Sequence, residues 1–105
     1  MKEFDEINKN YLKVYGDNFQ IKNIKTFTFW SLEDPIVDTV SVYFIVNTKK
    51  ERELFQIENL KKCSEEYLVF IKNNEIFQDL KFDFYVLSKE EVKQEYGGNY
   101  YYAMK

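Results

Sequence analysis

The side chains able to do chemistry in this chain are few in kind. There is no histidine among the 105 residues, so the usual general base at neutral pH and the commonest metal ligand are missing. One cysteine, Cys63, excludes an intramolecular disulfide and a cysteine-based zinc site. It falls toward the edge of an apolar helical stripe and has no imidazole to activate it, which fits a packed thiol better than a nucleophile. Carboxylates gather at Glu33, Asp34 and Asp38, and again at Glu90, Glu91 and Glu95. Paired acids can move protons or bind a hard cation. Here the spacing matches no calcium loop, and negative charge at a turn or a helix start explains them more simply. Lys49, Lys50 and Arg52, and then Lys61 and Lys62, are the basic concentrations, each interrupted by glutamates. They read as solvated helix faces. Gly97-Gly98 reads as a helix stop and turn, not a phosphate cradle. No catalytic constellation emerges, and no cofactor or metal is expected.

What the chain has in excess is rings: ten Phe, nine Tyr and Trp30. One small core needs fewer, so part of this load belongs at a contact surface. The net charge is −3, and Arg52 is the only arginine. Both facts disfavour nucleic acid, which is held through phosphates and favours arginine forks. The N-terminus lacks an apolar leader, and no apolar run approaches a membrane span. A cytoplasmic protein with no membrane contact is expected, folded as a single domain over residues 1–105.

The elements that must position these groups follow from periodicity. Phe4, Ile7, Tyr11, Val14 and Tyr15 recur at helical spacing over residues 2–15, with Gly16 as a left-handed stop. Residues 19–31 and 36–47 read as strands joined by a turn at Pro35, most simply an antiparallel hairpin. Thr48 and Glu51 form a capping box. It opens a helix expected over 49–72, with Leu54, Ile57, Leu60, Ser64, Tyr67, Leu68 and Ile71 on its apolar side. Residues 79–87 read as a third strand. Ser88 and Glu91 make a second capping box for a short helix, and 99–104 reads as a final strand. The order is α-β-β-α-β-(short α)-β. The expected fold is α+β: a four-stranded, mostly antiparallel sheet with one long amphipathic helix packed on a face.

Alternation divides the sheet residues. Phe27, Phe29, Val40, Val42, Phe44, Val46, Leu80, Phe82, Phe84 and Val86 are assigned to the helix side. The other face then carries Ile24, Thr26, Thr28, Trp30, Thr39, Ser41, Tyr43, Ile45, Lys81, Asp83, Tyr85 and Leu87. Tyr101 joins it if Tyr100 and Tyr102 point to the core. That face is amphipathic where a solvated one would be charged. Either the N-terminal helix covers it, or it is a contact surface with Trp30, Tyr43, Tyr85 and Tyr101 as the binding residues. The composition favours a small acidic interaction domain without catalytic activity, of an inhibitor, immunity or adaptor type. Its partner is a protein, basic by charge complementarity, or a second copy of itself. The alternatives are a small-molecule-binding or carboxylate-based enzyme domain, and an RNA-binding module that stacks bases on the sheet tyrosines.

Overall fold

The computed structural model describes residues 2–29, 39–72 and 80–104. Among them is a three-stranded sheet of order β1-β2-β3, formed by β1 (Asn23–Phe29), β2 (Thr39–Val46) and β3 (Lys81–Ser88). β1 pairs antiparallel with β2, matching Ile24 to Phe44 and Phe27 to Ser41. β2 pairs parallel with β3, matching Ser41 to Asp83 and Tyr43 to Tyr85. The protein is α+β, but the four-stranded, mostly antiparallel sheet is corrected on two counts.

First, the expected final strand is helical. Asn99 caps α6 (Tyr100–Ala103), its side chain accepting from the Tyr102 backbone N–H. Three successive tyrosines favour a strand by propensity, but a cap placed just before them starts a helical turn. Secondly, β2 and β3 run the same way because the chain between them contains α3 (Lys49–Glu58) and α4 (Leu60–Lys72). A helical crossover of this length returns the chain to the starting end of the sheet, which sets a parallel pair. The single helix expected over 49–72 is broken at Asn59, whose φ of −120° leaves the helical well. The break changes which residues of α3 face inward. Phe55 is buried, whereas Leu54 and Ile57, expected on the apolar stripe, are exposed.

The main core lies between the sheet and one layer of helices. Val40, Val42, Phe44 and Val46 of β2 alternate into it, joined by Ile24, Phe84 and Val86 from the flanking strands. Cys63, Tyr67 and Ile71 of α4 meet them, as do Phe4 and Tyr11 of α1 (Lys2–Tyr11). Tyr67 is the hub. Its ring lies within 6.2 Å of Phe44 and 5.7 Å of both Tyr11 and Phe84. Two buried hydroxyls tie α1 to α4: Tyr67 donates to Asn8 Oδ1 at 2.7 Å and Tyr11 to the Cys63 carbonyl at 3.3 Å.

Two further expectations are corrected. The faces of β1 are reversed: Ile24 sits opposite Phe44 in the core, and Phe27 sits opposite Ser41 on the other side. The helical path does not stop at Gly16. It widens into a π-helical turn (Leu12–Gly16) and continues through α2 (Asp17–Phe19), and the left-handed residue is Gln20, with φ 56°. Gly16 instead stays helical, and its carbonyl accepts a hydrogen bond from the Ile21 N–H at 2.9 Å.

α5 (Lys89–Tyr96) follows β3 directly. Its Ser88 cap accepts from the Glu91 N–H at 3.1 Å, and Gly97 ends it in the left-handed region at φ 59°.

Candidate functional site

The second sheet face is built by the residues that alternate away from the core. Three neighbouring strands set out two cross-strand rows. Phe27, Ser41 and Asp83 form one, and Lys25, Tyr43 and Tyr85 form the next. Both follow from register alone, because side chains opposite one another in a sheet share a face. α1 packs with α4 in the core layer and leaves this face uncovered, so the N-terminal helix is not its lid. The chain's own cover comes from the other terminus. α6 lies at the side of the face, where the Tyr43 hydroxyl donates to the Met104 carbonyl at 2.9 Å. Tyr101 meets Phe27 edge-on at 6.5 Å, and the Lys25 ammonium lies 4.7 Å above the Tyr100 ring.

Between α6 and β3 this leaves an open groove of about 670 Å³. Phe27, Tyr43, Tyr85 and Tyr101 supply its rings, with Met104 at one side. Thr39, Ser41 and Asp83 supply its polar groups. Tyr43 and Tyr85 stack at 5.0 Å with 22° between their planes. Burial, then the neighbouring Tyr85 hydroxyl and Asp83 carboxylate, hold the Tyr43 hydroxyl above the usual tyrosine pKa, so it stays a neutral donor. Tyr43 is 8% exposed, whereas Tyr85 is 45%, Tyr101 53% and Tyr102 59% exposed.

Of the four residues expected at this face, the structure brings Tyr43, Tyr85 and Tyr101 to one groove. Trp30 lies outside the described residues. Tyr43 differs in role: it is largely buried and anchors α6. Sequence reasoning missed Phe27, assigned to the core because alternation gives each β1 face an apolar residue. It also missed Met104 as part of the wall. Asp83 was placed on this face but not recognised as part of a site, since one acid in a strand carries no motif.

The other chemical candidates resolve into structure. Cys63 is fully buried, and burial pushes its thiol up to about 11, against thiolate chemistry. Glu90 and Glu91 serve helix starts. Glu90 accepts from the Lys49 backbone N–H at 3.0 Å, placing a carboxylate at the α3 N-terminus. Glu91 accepts from the Ser88 hydroxyl and from Arg52 Nε, bridging α3 to α5. Glu33, Asp34 and Asp38 lie outside the described residues. Among the described residues no group of three or more acids and cysteines is placed to hold a metal ion. No helix among them is long and apolar enough to cross a membrane.

Comparison with protein-family models, with curated proteins and with solved structures gives no match to this chain.

Proposed function

We propose that this chain is a single-domain binding protein without catalytic activity, which recognises another protein through the second face of its sheet. One observation carries the reading. Exposed tyrosine rings at positions 85 and 101 flank a groove whose floor is held rigid by the buried Tyr43. Tyrosine rings held by a strand, as at 85, or by a capped helical turn, as at 101, offer contact area with little rotamer entropy to lose, which is how tyrosine dominates interface energetics. The acidic net charge supports a basic partner of the kind an inhibitor, immunity or adaptor protein meets.

The test is a tagged pull-down from the native host with three forms: the parent chain, Tyr85→Ala/Tyr101→Ala, and Leu54→Ser/Ile57→Ser on the exposed flank of α3. Light scattering of each purified form reads self-association. The expected result is a bound protein retained by the parent and the α3 variant and lost by the tyrosine variant. Retention by the tyrosine variant, with its loss in the α3 variant, would move the binding surface to the helices and end this reading.

A further inference from the structure

Among the described residues that line the groove, Asp83 alone carries a formal charge at neutral pH. It stands directly across from Ser41, so a carboxylate and a hydroxyl lie side by side, with Phe27 in the same row and the Tyr43–Tyr85 stack in the next. A single acid among rings and hydroxyls is a poor match for an anion or a neutral apolar ligand. It is a good match for an organic cation, whose charge meets the carboxylate and whose alkyl stem lies on aromatic faces. The same sheet face already holds one such contact within the chain, Lys25 above Tyr100. Among the described residues Asp83 has no ion pair, although Lys81 stands two residues before it on the same strand face.

We propose that the groove seats a cationic side chain from a basic segment of the partner protein, with Asp83 as counter-charge and Phe27, Tyr85 and Tyr101 as its walls. This rests on the reading of the second face as a protein-binding surface, and gives that surface its chemistry. Charge selects the partner and the rings supply the contact area.

The probe is an acetylated, amidated Gly-Lys-Gly tripeptide, compared with its neutral norleucine counterpart of similar shape. Each is titrated into the full chain and followed through backbone amide resonances. The lysine peptide is expected to shift Ser41, Asp83 and Tyr85 in a dose-dependent way. The norleucine peptide should bind about tenfold more weakly, the factor carried by about 1.4 kcal/mol. Asp83→Asn should bring lysine binding down to the norleucine level. Asp83 is exposed, so this variant is expected to keep the fold, and circular dichroism checks that it does. Equal binding of the two peptides, or unchanged lysine binding in Asp83→Asn, overturns the cation seat while leaving an aromatic binding face intact. Silence from both peptides also overturns it, and the tyrosine-variant pull-down then decides separately whether the face binds protein at all.

Discussion

Removing one oxygen from Tyr67 gives a sharp test of how the helix layer is held. Tyr67→Phe keeps the ring and therefore its contacts with Tyr11, Phe44 and Phe84. It deletes only the hydroxyl that donates to Asn8 Oδ1 at 2.7 Å. Tyr67 has no exposure and Asn8 almost none, so water cannot replace the lost donor without opening the core. A buried acceptor left without a partner costs about 1–3 kcal/mol. In a small domain each kcal/mol moves the melting temperature by about 4–8 °C. Urea unfolding followed by circular dichroism should show a lower midpoint with an unchanged slope, because the exposed surface hardly changes. Asn8→Leu makes the complementary cut and strands the Tyr67 hydroxyl. The double variant removes both polar groups, so it should be less destabilised than the two singles together, by about 1 kcal/mol. If Tyr67→Phe unfolds within about 0.3 kcal/mol of the parent, or if the two changes simply add, the hydrogen bond does not join α1 to α4 as described.

Tyr43→Phe should cost about 0.5–1.5 kcal/mol and raise hydrogen exchange over residues 100–104, because it deletes the bond to the Met104 carbonyl; protection unchanged there would refute the anchor. Burial raises the hydroxyls of Tyr11, Tyr43 and Tyr67 above 10.0 and takes the Cys63 thiol from 9.0 to about 11. Folding therefore retains protons that the unfolded chain releases. Stability is full below the unfolded values and falls as pH rises through about 9 and beyond, by up to about 1.4 kcal/mol per pH unit for each group. Urea midpoints at about pH 8 and pH 11 check this, and equal midpoints would contradict it. Gly97→Ala should destabilise by about 1 kcal/mol through backbone strain alone, since φ is 59° and no atom of the described residues lies within 4 Å of the added Cβ. Thermal melts of Gly97→Ala beside Gly97→Asn, which tolerates that region, separate strain from packing.

Periodicity located the elements better than it oriented them. Both N-caps form because each is written in four adjacent residues, Thr48 to Glu51 and Ser88 to Glu91. The glutamates reach back to the Asn47 N–H and to the Ser88 hydroxyl, and not to the cap's own N–H. The alternation of β2 and β3 is equally direct: Val42, Phe44, Phe84 and Val86 are large and apolar at every second position. β1 offers no such contrast. Ile24 competes with Phe27, and only pairing with β2 selects the face, a choice made by distant partners. The direction of β3 is likewise absent from its own residues and follows from the crossover. The aromatic face was legible as an excess of rings. Its groove was not, because Asp83, Phe27 and Met104 meet through register and through the turn after Gly97.

The bond from Tyr43 to Met104 ends on a main-chain carbonyl, an atom every amino acid provides. The tie that fastens the C-terminal segment therefore makes no demand on the side chain at position 104, nor on the rings at 101 and 102. A change at 101 or 104 alters the wall of the groove while the fastening stays as it is. Substitution at 101 or 104 can therefore reshape the groove without repacking the core beneath it.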